Sequence, residues 1–185
     1  MSKPERLLDP LDEFYSELGL ALPKARAIEG EHVPAPYKAL LVHDSDMTPT
    51  LEAAFKRRIF LRLLKRKISR DLLLRQVTLV LEGSGRAVEF GAIRIHLDCL
   101  PSPVHPLILE GKLPLGRVLQ DFKVSHRSEP TAFFAVEADL TIAEALNISE
   151  PQQLLYGRRN SLLLPSGESL AEVIEILPAN CIPEN

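Results

Sequence analysis

The sequence predicts an α+β domain: a mostly antiparallel sheet of about six strands flanked by helices. Two long strand-like runs, 72–82 and 86–97, are joined by Glu82-Gly83-Ser84-Gly85, where glycine supplies the positive φ of a tight hairpin. A second pair, 155–164 and 169–177, is joined by Pro165-Ser166-Gly167-Glu168. Helix-start signals lie between these pairs, so hairpin-linked strands are interspersed with helices. With 185 residues, 45% apolar and 25% charged, the chain is long enough for one domain to bury a core without disulfide or metal staples.

In chain order, Asp9-Pro10 starts a short amphipathic helix carrying Leu11, Phe14, Tyr15 and Leu18, which Gly19 ends. The stretch from Leu22 to Pro36 holds three prolines and no sustained period. Residues 1–36 are therefore read as an N-terminal arm that wraps the domain or links to it, and 37–185 as the domain itself. Residues 36–42 make one or two helical turns. Thr48-Pro49 is a helix start, with the Thr48 hydroxyl as cap and proline in the first turn, running to about Lys56. From Ile59 the alternation of Ile59, Leu61 and Leu63 is strand-like. After the first hairpin, Pro101, Pro103 and Pro106 break the sheet, and residues 114–122 read as a helix. A strand at 131–137 precedes a short helix capped by Thr141, with Glu144 three residues on.

Composition narrows the function. No apolar run approaches the ~20 residues that span a bilayer, and no basic stretch with an apolar core opens the chain, so the expectation is a cytoplasmic protein without a membrane partner. Cys99 and Cys181 have no metal or redox spacing and read as small semi-buried hydrophobes. Tryptophan is absent and aromatics are 5%, a poor platform for nucleic acid. The net charge of −3 hides nine basic residues against one acid, Asp71, between Lys56 and Arg75. That run is read as a solvated strand pair whose outer side is guarded by Lys and Arg, with capture of an anionic ligand as the first rival and nucleic acid as the second.

Arg75 is the most informative residue. Side chains on a strand alternate faces, so Arg75 shares a face with Leu73, Val77, Leu79 and Leu81. A guanidinium in an apolar layer requires a negative partner: an internal acid such as Glu172 or Glu175, or the carboxylate of a ligand. The last strand poses the matching question, because Glu172 and Glu175 interrupt otherwise apolar opposite faces. A carboxyl group in such a setting has a raised pKa and suits a proton donor. No metal site is expected. If Asp44 opened an EF-hand loop, Pro49 would stand where glycine is needed and Phe55 where glutamate is needed. Gly83-Ser84-Gly85 lacks the third glycine of a dinucleotide fingerprint, and no serine sits in a nucleophile elbow.

Several segments together resemble the chorismate pyruvate-lyase (4-hydroxybenzoate synthase) family. They are Leu40-Leu41-Val42-His43-Asp44-Ser45-Asp46-Met47-Thr48, Arg75 ahead of a glycine hairpin, and Gly111-Lys112-Leu113-Pro114-Leu115-Gly116-Arg117. Tyr156-Gly157-Arg158-Arg159 and the stretch from Glu172 to Leu177-Pro178-Ala179 follow in the same order, so the resemblance covers roughly residues 38–180. It implies a monomeric, cofactor-free fold with an enclosed aromatic-acid pocket, similar to the effector-binding (UTRA) domain of some transcription regulators. The implied reaction eliminates pyruvate from chorismate to give 4-hydroxybenzoate for ubiquinone biosynthesis. Transferred by position, Arg75 clamps the ring carboxylate. The backbone amides of Met47 and Leu115, next to Gly116, add hydrogen bonds to it.

Two positions depart from the family pattern: Ala92 follows Gly91 where the family has an arginine, and Ile174 stands at the catalytic glutamate. Arg94 and Glu172 lie two residues away on the same faces, which makes Arg94 the second carboxylate clamp and Glu172 the acid. The alternative is a pocket of the same fold that binds an aromatic or cyclic carboxylate without turning it over.

Overall fold

Leu11, Phe14 and Tyr15 recur at helical spacing and form the buried face of the first helix, α1 (Leu11–Glu17). The arm then contributes a strand, β1 (Ala25–Ile28), before α2 (Tyr37–Leu41) and α3 (Met47–Phe55). The long hairpin pattern becomes β2 (Ile59–Ser69), β3 (Leu72–Leu81) and β4 (Ala87–His96). Two short helices follow, α4 (His105–Glu110) and α5 (Leu115–Asp121). The chain ends with β5 (Arg127–Glu137), α6 (Leu140–Leu146), β6 (Leu154–Leu163) and β7 (Ser169–Leu177). This computed structural model describes residues 6–150 and 152–180; Cys181 and the first five residues of the arm lie outside the described residues.

The strands form one open antiparallel sheet of seven, in the order β1-β5-β6-β7-β4-β3-β2. The additional strand is β1, whose four residues show no in-and-out alternation; its pairing with residues 133–136 of β5 makes it a strand. The proline-rich stretch after β4 holds the helix α4, because Pro106 sits in its first turn where the missing N–H is not needed. Two helix caps differ from expectation. Asp46, in extended conformation, precedes α3, so Thr48 is already helical. Asp139 caps α6, its Oδ1 accepting from the Ile142 amide at 2.9 Å, and Thr141 lies inside the helix.

Each face of the sheet has its own cover. On one face α1 and α6 pack Leu11, Phe14, Ile142 and Leu146 against Leu74, Phe90, Ala92 and Ile176. On the other, α2 and α3 lay Leu41, Met47 and Leu51 over Leu79, Leu81 and Leu177. Beside them α4 and α5 lay Ile108, Val118 and Leu119 over Leu73, Ile93 and Leu162. These two clusters on the second face remain separate, and the candidate site lies in the gap between them.

At Gly157 in β6, a Cβ would stand 2.5 Å from the Glu175 carbonyl oxygen and 2.7 Å from the Phe134 ring. Strands β6 and β7 and the Phe134 side chain therefore close on each other only because that position lacks a side chain. Gly157→Ala is expected to lower stability by about 1–3 kcal/mol through overpacking, read as a lower urea midpoint at unchanged slope. An unchanged midpoint would show that the strands yield freely.

Candidate functional site

The gap is a small cleft, part of it continuous with solvent. The pocket expected to be enclosed is thus a partly open cleft. Its floor is the sheet: Arg75, Val77 and Leu79 from β3, Glu89, Gly91 and Ile93 from β4, and Val173 and Glu175 from β7. Its rim comes from two helix starts, Met47 and Thr48 of α3 and Leu115 and Gly116 of α5. Met47 and Leu115 begin the two helices at this rim, and amides in the first turn of a helix have no partner within that helix.

Arg75 is 1% exposed. Its Nη1 donates to the Ile108 carbonyl oxygen at 3.3 Å, an oxygen in the last turn of α4. Its Nε has no partner, and none of the described carboxylates pairs with the side chain. Burial alone pulls its pKa down to about 10. Neither internal acid considered from the sequence serves it. Glu175 binds the Nε of Arg158, and Glu172 lies on the other face of the sheet.

Arg158 is buried as deeply and fully matched. Besides Glu175 it donates to the carbonyls of Leu41, His43 and Ser45 at 3.3, 3.0 and 3.0 Å, fixing the segment that leads into α3. The neighbouring acid, Glu89, is 4% exposed, and its Oε2 has no partner. Burial, reinforced by the nearby Glu175 charge and only partly offset by Arg158, raises its pKa well above the usual carboxylate range and favours the protonated form. No motif flagged this residue. The available signal was strand parity: Leu79 pairs with Glu89, so an inward Leu79 places Glu89 inward too.

Arg94 and Glu172 are not brought to the cleft. They pair with each other across β4 and β7, and strand parity turns both to the face covered by α1. There Arg94 binds Asp9 at 2.7 and 3.0 Å and also Glu13, while Glu172 meets His96 at 3.1 Å. Arg94 thereby ties the start of α1 to the sheet. Ala92 and Ile174 pair opposite one another on that same face, buried in its core. At the rim of the cleft, Asp46 Oδ2 binds His126 Nε2 at 2.8 Å and raises the imidazole pKa. Among the described residues no group of three or more His, Cys, Asp or Glu is arranged to hold a metal ion.

No known family profile matches the chain, and no curated protein matches it in sequence. Solved structures do match in fold. PhnF from Mycobacterium smegmatis superposes with a TM-score of 0.58 at 10% identity, over 75% of this chain and 65% of that one. The chain therefore spans just under two thirds of that protein. The effector domain of PhnF alone gives 0.57 at 11% identity, covering 74% of this chain and 90% of the domain. The ligand-binding domain of a Bordetella bronchiseptica protein assigned to the GntR family of transcriptional regulators gives 0.50 at 17%, covering 66% and 84%. The chain has the UTRA-like fold of these ligand-binding domains. No helix among the described residues is long and apolar enough to cross a membrane.

Because burial raises the Glu89 pKa in the folded chain above its unfolded value of about 4.3, its contribution to stability declines as pH rises through about 4.3. Glu89→Gln, which mimics the protonated acid, is expected to match the parent near pH 4 and to exceed it by a margin that widens as pH rises above about 4.3. Urea unfolding across that range checks it; parallel curves would show an ionised Glu89.

Proposed function

We propose that this chain is a binding domain of the effector type whose cleft takes a small aromatic or cyclic acid with one carboxylate, held by Arg75. The observation that carries this reading is the burial of the Arg75 guanidinium, facing the cleft, with no acid beside it. A buried charge left without a partner is costly, and a ligand carboxylate matches its planar fork. The surrounding charges support a monoanion. Arg158 is answered by Glu175, the raised pKa of Glu89 favours its neutral form, and Asp46 faces His126, which leaves the Arg75 charge unanswered on the cleft floor. A second carboxylate would enter with no cation to receive it. In this reading the amides of Met47 and Leu115, at two helix starts on the rim, add hydrogen bonds to the carboxylate, and Gly116 lines the cleft beside them. Leu61, Val77, Leu79, Ile93, Leu162 and Val173 supply apolar walls for a ring. In this reading the domain acts as a cytoplasmic monomer and needs neither metal nor organic cofactor.

A second reading, elimination of pyruvate from chorismate to give 4-hydroxybenzoate for ubiquinone biosynthesis, is favoured by one observation: Glu89 brings a carboxyl group of raised pKa into the same cleft as the clamp, at its other end. Here Glu89 replaces Glu172 as the acid, since Glu172 faces the arm.

Calorimetry with 4-hydroxybenzoate, and incubation with chorismate while pyruvate is followed, separate the two. Binding of 4-hydroxybenzoate without pyruvate release supports the binding domain, and release of both products supports the lyase. Arg75→Met removes the charge while keeping most of the volume. It is expected to weaken 4-hydroxybenzoate binding by about 2–5 kcal/mol, roughly 30- to 4000-fold in Kd, while the ligand-free protein becomes at least as stable to urea. If no aromatic acid binds, or if Arg75→Met lowers stability and leaves binding intact, Arg75 is not a ligand clamp.

A further inference from the structure

Strand β2 is the last in the sheet order, so its outer side presents backbone N–H and C=O groups to no neighbouring strand. From Phe60 onward no backbone hydrogen bond from another described segment covers it. Its 11 residues give an open edge ~36 Å long at about 3.3 Å per residue.

The charge on this edge is of one sign. Residues 56–70 carry eight basic side chains and no acid, although the whole chain has 25 acidic and 22 basic residues. All eight are exposed, and none has a carboxylate partner among the described residues. Guarding an edge against aggregation takes only a charge or two, whereas a row of like charges repels itself. Nor is the edge purely polar, since Phe60, Leu64 and Ile68 are 43, 38 and 52% exposed among the cations.

These features select the occupant. A second copy of this chain is rejected, because pairing β2 with itself would set its basic side chains against their own copies. Nucleic acid would use the charges but not the open backbone edge, and Phe60 is the one aromatic between 56 and 70 on which a base could stack. We infer that β2 is a docking edge for an acidic, extended segment of a partner protein, which adds to the sheet as an eighth strand. On the face away from the cleft, Phe60, Arg62, Lys65 and Lys67 follow one another opposite Val80, Thr78, Gln76 and Leu74. Carboxylates at alternate positions of the incoming strand meet those cations while its backbone pairs with β2. None of these four residues lines the cleft, so docking and ligand binding are separable.

The probe is a blocked dodecapeptide of alternating Glu and Val, with a Lys-Val dodecapeptide and a single-stranded DNA 20-mer as comparators. The Glu-Val peptide is expected to bind with an affinity that falls as salt rises, and to slow amide hydrogen exchange across residues 60–68. The combined change Arg62→Glu, Lys65→Glu and Lys67→Glu is expected to weaken it at least tenfold and to admit the Lys-Val peptide, with the circular dichroism spectrum unchanged. Tighter binding of the DNA would assign the strip to nucleic acid and overturn the inference. Absence of peptide binding at low salt, or binding without protection of 60–68, would also overturn it.

Discussion

Arg75 and Arg158 lie on the same face of one sheet, 1% and 0% exposed, and meet the cost of burial in opposite ways. Arg158 is surrounded by its own protein: one carboxylate and three carbonyls take its donors. The carbonyls belong to residues 41, 43 and 45, so this arginine ties the segment before α3 to the sheet and sets the rim from which Met47 faces the cleft. Arg75 has one helix-end carbonyl and an idle Nε. Desolvating a charge costs several kcal/mol, which the apolar clusters on either side must offset. The matched arginine builds the cleft, and the unmatched one gives it chemistry.

The arrangement survives because cation and acid are kept apart. Along the β3–β4 ladder Arg75 is opposite Ile93 and Glu89 is opposite Leu79, four positions and about 13 Å of strand away. Closer together they would pair, Glu89 would ionise, and the floor would hold a satisfied salt bridge with no affinity for an anion. The Glu175 charge, paired with Arg158, lies near enough to Glu89 to disfavour its ionisation further. The floor therefore carries a buried guanidinium at one end and a carboxyl group of raised pKa at the other, separated by apolar side chains.

How much of this was legible follows from the kind of signal each part leaves. The long strands β3, β4, β6 and β7 were visible because alternation and glycine turns are local properties. β1 was not, since four weakly apolar residues become a strand only through β5. The caps at Asp46 and Asp139 were missed for a related reason: where Thr or Asp could each cap, three-dimensional packing decides which residue is extended and which begins the helix. Arg75 stood out as one charge in an apolar alternation. Glu89 did not, because its strand also carries Gly91 and Arg94 and the inward face is fixed only by register with β3.

Register also explains why a shift of two residues failed to rescue Arg94 and Glu172. A shift of two preserves the face, and the face here is the one that α1 covers. Arginine at Ala92 or glutamate at Ile174 would place a charge in the packed core beneath the arm. Farther along the same strands, Arg94 and Glu172 reach the margin of that core, where Asp9, Glu13 and His96 can meet them. An arm docked by acids at its start has a use for a cation at that margin, and the cleft on the opposite face has none for it. Polar groups on the two faces of β4 and β7 thus divide between holding the arm and furnishing the cleft, and it is the parity of each position, more than its offset along the strand, that decides which.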